Sequence, residues 1–130
     1  MIVLDANVLI ALFDPADASH TKAEAVLLAH ADEHLAMPAL TFAEFLIRPT
    51  ATGVAARAEL FVANMGIIVS PLLADDSRHL AGIRTASGLK MPDAVVLWLA
   101  LGASAKLLTF DDHLATAARA VGVEVVPIDE

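Results

Sequence analysis

The apolar residues of this chain fall into short runs set between longer stretches of helical period. That alternation constrains the fold more than any other feature. Residues 2–4, 35–37, 67–69, 106–110 and 123–127 are brief apolar runs that read as strands. Between them, helices are predicted over residues 8–13, 19–32, 40–47, 54–65, 74–86, 92–101 and 112–120. Punctuation supports these limits. Asp14-Pro15 breaks the first helix, Ser19 is placed to cap the second, and Pro49 stops the third after Arg48. Gly66, Gly88, Gly102 and Gly122 stand at helix ends, and Pro92 suits a first helical turn. Strands joined by helices need crossover connections, which put helices on both faces of a parallel sheet. The expected architecture is a three-layer α/β/α sandwich with a central, mostly parallel sheet. No repeat, low-complexity tract or linker divides residues 1–130, which read as a single domain.

Composition narrows the function. At 58% hydrophobic residues, the chain can bury a core and is not globally disordered. The uncharged run at residues 94–105 falls short of the ~20 residues that span a membrane. The formal charge of −8 disfavours a bare duplex-binding module, because neutralising phosphates takes clustered basic residues. It leaves room for a nucleic-acid enzyme whose acidic site is filled by a divalent cation. The absence of cysteine excludes disulfides, thiolate zinc sites and a cysteine nucleophile. No basic, cleavable leader opens the sequence, so a cytoplasmic protein is expected.

Ligand sites of open parallel sheets form beyond the carboxyl ends of the strands. Asp5 ends the first strand, and Asp111 follows the strand at 106–110. Asp93 starts the helix that leads into that strand, and Glu44 lies in the first turns of the helix after the second strand. Four carboxylates far apart in sequence thus converge on one edge. Two unit charges 4 Å apart repel by ~4 kcal/mol at an effective dielectric of 20. A divalent cation removes that cost, and an oxygen-only donor set suits Mg²⁺ or Mn²⁺ rather than zinc. Such ions activate water and clamp phosphodiesters.

Each residue also has a plainer reading. Asp5, Asp93 and Asp111 stand where helix caps belong. Glu44, inside the apolar segment Leu40-Thr41-Phe42-Ala43-Glu44-Phe45-Leu46-Ile47, either pairs with an arginine or holds a cation, since an isolated carboxylate there is costly to desolvate. Asn7 is a turn residue or a donor that orients Asp5, and Thr109 is an ordinary strand residue or a donor to a ligand. Asp112, next to Asp111, competes with it as the fourth acidic position. The histidines show no ligand spacing beyond His30 and His34, which fall at a helix end. Trp98 reads as core, and Asp75-Asp76 as the cap of the helix they open. Arg48, Arg84 and Lys90 are the basic residues best placed to touch a polyanion, whereas Arg57 and Arg78 read as solvated surface.

These residues fall into a known pattern. Val3-Leu4-Asp5-Ala6-Asn7-Val8-Leu9-Ile10 resembles the opening of a PIN domain. Pro38-Ala39-Leu40-Thr41-Phe42-Ala43-Glu44-Phe45-Leu46 resembles its second acidic motif, Lys90-Met91-Pro92-Asp93-Ala94 its third, and Leu108-Thr109-Phe110-Asp111 its fourth. In order, spacing and length, the chain resembles the toxin ribonucleases of VapBC toxin–antitoxin systems over essentially its whole extent. The resemblance implies a metal-dependent endoribonuclease in which Asp5, Glu44, Asp93 and Asp111 bind Mg²⁺ or Mn²⁺, with Asn7 and Thr109 in support. It also implies metal-activated water as the attacking group, an RNA substrate, a homodimer and a VapB-like antitoxin partner.

Two other classes compete. A haloacid-dehalogenase-like phosphatase would use Asp5 as nucleophile, but that family's opening resembles Asp-x-Asp and the second position here is Asn7. A non-catalytic partner-binding domain of the same fold would have no need of four intact acidic positions.

Overall fold

Ile2, Val3 and Leu4 form a strand with no exposed surface, as fits the centre of a sheet covered on both faces. In the computed structural model, residues 1–128 are described. This first strand, β1 (Ile2–Leu4), is followed by α1 (Ala6–Phe13), α2 (His20–Ala29), β2 (Leu35–Pro38), α3 (Ala39–Ala51) and α4 (Ala55–Asn64). Then come β3 (Ile68–Ser70), a short 3₁₀ turn (Ala74–Asp76), α5 (Ser77–Ser87), α6 (Met91–Gly102), β4 (Lys106–Leu108) and α7 (Asp112–Ala120).

The sheet has the order β3-β2-β1-β4, and every pairing is parallel. Val3 pairs with Leu107, and Leu4 with Leu108. The two-residue period of a strand divides the core. Val3 and Leu107 join one apolar cluster with Leu80 of α5, the apolar face of α6 and Leu114 and Ala118 of α7. Ile2, Leu4 and Leu108 join the other, with Val8 and Leu9 of α1, Val26 of α2, Phe45 of α3 and Val62 of α4. The expected three-layer α/β/α sandwich with a parallel central sheet is the architecture found. The chain steps outward from β1 through β2 to β3, then returns to place β4 on the other side of β1. The carboxyl ends of β1 and β4 therefore flank the point where the winding reverses, which is where open α/β sheets bind ligands.

Several elements differ from expectation. Pro49 does not stop α3. It lies buried inside the helix, which runs on to Ala51. A proline forfeits its own N–H bond but keeps its carbonyl, and Pro49 O accepts the Val54 N–H at 2.8 Å. The helix ends only near Gly53, at φ +79°. Ser19 makes no side-chain cap, and α2 ends at Ala29. The helix expected from residue 74 begins as the 3₁₀ turn, where Asp76 Oδ2 accepts the Leu73 N–H at 3.0 Å. The expected strand at 106–110 stops at Leu108, because the next backbone groups are taken by side chains of the site. At residues 123–127 there is one isolated bridge, Leu107 to Val125, beside Pro127, which has no N–H to extend a ladder. Among the described residues, no helix is long and apolar enough to cross a membrane.

Candidate active site

Asp5 leaves the end of β1 and caps α1, its Oδ1 accepting the Ala6 N–H at 2.8 Å. Its Oδ2 accepts the Thr109 hydroxyl at 2.7 Å and the Asn7 side-chain amide at 3.2 Å. Asp5 is only 7% exposed, so these bonds replace the hydration it has lost. Asn7 also binds in the other direction, its Oδ1 accepting the Phe110 N–H at 3.2 Å. Thr109 Oγ1 in turn accepts the Asp111 N–H at 3.0 Å. Asp111 caps α7 through the N–H groups of His113 at 2.8 Å and Leu114 at 3.4 Å. Asn7 and Thr109 thus tie the ends of β1 and β4 into one network.

Asp5, Asp93 and Asp111 occupy the positions that make helix caps or first turns, and the capping reading is accurate for Asp5 and Asp111. Capping is not all they do. Burial raises the Asp5 pKa, the nearby Asp111 charge adds to the rise, and the bonds from Thr109, Ala6 and Asn7 oppose it. Burial also raises the Glu44 carboxyl, helped by the charges of Asp5 and Asp93. Asp93 is raised by burial and by Asp5 and Asp111, against the pull of His113 and Lys90. Asp5, Glu44 and Asp93 each therefore feel the charge of at least one other member of the set. The acid that acts on Asp5 and Asp93 is Asp111 rather than its neighbour Asp112, which starts α7. Glu44 has no ion pair among the described residues, so pairing with an arginine does not account for it.

Among the described residues, no three acidic or histidine side chains are grouped to hold a metal ion as they stand. The donor set nonetheless fits one. It is all oxygen, and its members repel each other in a partly desolvated edge, a cost that Mg²⁺ or Mn²⁺ relieves.

The basic residues divide. Lys90 stands beside Asp93 and lowers its pKa. Arg48 lines a hollow of about 660 Å³ together with Glu44, Ile10, Phe13 and Phe45. Arg84 is exposed near the end of α5 and is not among the charges acting on the acidic set. Three basic residues near the site were not singled out from the sequence. His113 lowers Asp93, and its place two residues after Asp111 was the available signal. Arg57, read as solvated surface, lines the hollow with its guanidinium 5.9 Å from the Phe13 ring. Lys22 lies 4.9 Å over the ring of Phe110. The last two depend on helix packing that leaves no local pattern.

Comparison with known proteins identifies the family and the fold. The PIN domain family matches residues 2–120, and the chain belongs to that family. No curated protein matches it in sequence. Among solved structures, it is similar to VapC20 of Mycobacterium tuberculosis, a sarcin-ricin loop cleaving toxin, at 19% identity and a TM-score of 0.78, covering 98% of this chain and 100% of that one. It is also similar to VapBC2 from Rickettsia felis bound to a DNA fragment from their promoter, at 14% identity and TM-score 0.75, covering 99% and 100%. A toxin–antitoxin complex from Klebsiella pneumoniae is similar at 21% identity and TM-score 0.72, covering 85% and 87%. At these identities the likeness is one of fold.

Proposed function

We propose that this PIN domain protein is a metal-dependent endoribonuclease, the toxin half of a toxin–antitoxin pair. The observation that carries this reading is the convergence of Asp5, Glu44, Asp93 and Asp111, from four separate elements, on one sheet edge where burial and neighbouring carboxylate charges raise Asp5, Glu44 and Asp93. These four would hold Mg²⁺ or Mn²⁺, which when bound supplies Lewis-acid activation of water and charge neutralisation at an RNA phosphodiester.

The chain's own residues set the conditions. Thr109 and Asn7 fix Asp5 from one side, leaving little freedom in its carboxylate. Asp111 is held by the start of α7 and is the acid of its pair that belongs to the site. Asp93 and Glu44 are less enclosed and supply the adjustable ligands. Lys90 and Arg48 provide local positive charge for a polyanion on a chain whose net charge is −8, and Arg84 extends that rim further out. A phosphatase using Asp5 as nucleophile is less well supported, because the second position of its opening motif is Asn7, whose side chain binds Asp5, Thr109 and the Phe110 N–H. A purely partner-binding role leaves the mutual crowding of the carboxylates without a purpose.

The toxin–antitoxin complexes among the structural neighbours support a VapB-like antitoxin as partner, and a homodimer belongs to the same reading. An RNA substrate places its work in the cytoplasm. The test is cleavage of total cellular RNA by purified protein with Mg²⁺ or Mn²⁺, with EDTA, and with Asp5→Asn. Metal-dependent products absent from the variant support the reading. Turnover of a small phosphoester without RNA cleavage refutes it.

A further inference from the structure

Thr41 is fully buried, and its hydroxyl has no hydrogen-bond partner among the described residues. Such a group has given up water without gaining a partner, and native proteins keep few of them. Three other hydroxyls in or at the end of helices satisfy themselves on the carbonyl one turn back. Thr52 bonds Arg48 O at 2.9 Å, Thr85 bonds Ala81 O at 2.8 Å, and Ser87 bonds Ile83 O at 2.7 Å. Thr41 is the third residue of α3, so the residue four before it, Met37, lies in β2 and offers no helical carbonyl.

Its position relates it to the acidic set. Thr41 precedes Glu44 by three residues, and positions so spaced share one face of a helix. Long helical side chains lean toward the helix N-terminus, which brings a carboxylate at residue 44 back over the turn that holds Thr41. Glu44 lacks a cationic partner among the described residues and is crowded by Asp5 and Asp93. One unpartnered donor and one unpartnered acceptor thus stand a turn apart, at the edge where Asp5 and Asp93 crowd Glu44.

We propose that Thr41 is a positioning residue for Glu44. With a divalent cation bound at the acidic edge, Glu44 would lie back along α3 over Thr41. One carboxylate oxygen then accepts the Thr41 hydroxyl, and the other faces the cation. The hydroxyl does for Glu44 what Thr109 does for Asp5. This inference rests on the cation-binding reading of the acidic cluster.

The test compares Thr41→Val and Thr41→Ser with wild type, using Mn²⁺ alone as the titrant in calorimetry and the thermal midpoint of metal-free protein as the second readout. T41V removes the hydroxyl at nearly constant shape. Its metal-free midpoint is expected at or above that of wild type, since an unsatisfied polar group is lost. Its Mn²⁺ affinity is expected to fall about 10-fold, the low end of what loss of a ligand-orienting partner costs, and T41S is expected to recover it. In a Glu44→Gln background, T41V is expected to change affinity no further. Wild-type Mn²⁺ affinity in T41V overturns the assignment, as does a weakening that persists undiminished in the Glu44→Gln background. Wild-type protein that binds no Mn²⁺ overturns the cation-binding reading itself, so the two failures are told apart. Should T41V not fold, Thr41→Ala carries the same comparison.

Discussion

The Thr109 hydroxyl donates a 2.7 Å hydrogen bond to Asp5 Oδ2, joining the residue that follows β4 to the residue that follows β1. Both partners are buried, Thr109 at 3% exposure and Asp5 at 7%. The bond is the largest of the influences that hold the Asp5 pKa down against its burial. Thr109→Val is therefore expected to lower stability by ~1–3 kcal/mol, through a carboxylate left short of a donor. The same change strands the Asp111 N–H, which Thr109 now accepts. Thr109→Ser keeps the hydroxyl and is expected to retain most of the stability. Urea unfolding of the three proteins checks this.

Acidity should act on metal-free protein in an unusual direction. Asp5, Glu44 and Asp93 all have pKa values raised by folding. The folded state therefore binds more protons than the unfolded state just above the ordinary carboxylate range. Unfolding free energy must fall as pH rises through that window. Asp93→Asn removes one of the repelling charges, and it is expected to flatten this slope and raise the urea midpoint at neutral pH. A midpoint in D93N below that of wild type at neutral pH would contradict the crowding.

Divalent cations should reverse the penalty. At 100 times its dissociation constant, a bound ion stabilises the native state by ~2.7 kcal/mol, a shift of several degrees in a domain of this size. Mn²⁺ or Mg²⁺ is expected to produce that shift in wild type, and Glu44→Gln and Asp93→Asn are expected to shrink it. Both substitutions are expected to abolish RNA cleavage while leaving the fold intact. Scanning calorimetry with and without EDTA reads the first effect, and gel analysis of RNA reads the second.

On the opposite side of the sheet edge, the dependence on pH has the other sign. Glu33 accepts Lys106 Nζ at 3.0 Å and the terminal amine at 3.4 Å, and its pKa is lowered chiefly by the Lys106 bond. Its contribution is present above the ordinary carboxylate range and is lost as pH falls through the lowered value. Lys106→Met is expected to reduce the thermal midpoint slightly at neutral pH and not at all in acid. Raising the salt concentration should reduce that difference, as screening weakens an exposed pair.

The sheet was legible because its strands are apolar on both faces. Ile2, Val3 and Leu4 have no polar residue to blur their limits. Pro49 misled because a local rule about helix interiors was outweighed by packing: its ring is buried, and α3 carries on around it. The strand at Lys106 was read too long because Phe110 gives its N–H to Asn7, a partner more than a hundred residues away. Asp5, Glu44, Asp93 and Asp111 stood out because topology sends strand ends and helix starts to one edge. Arg57 and Lys22 did not, since only the packed helices bring them over Phe13 and Phe110. Thr41 looked like any helical residue until its hydroxyl proved to lack a partner.

The order β3-β2-β1-β4 also sets a timetable for synthesis. Asp5 leaves the ribosome 104 residues ahead of Thr109, which with Asp111 fixes and completes its surroundings. A nascent chain can pair β1 with β2 and still lack the strand on its other side. Until Lys106–Leu108 docks against Ile2–Leu4, the acidic edge has no frame, so Asp5 waits for the second half of the chain before its carboxylate is fixed.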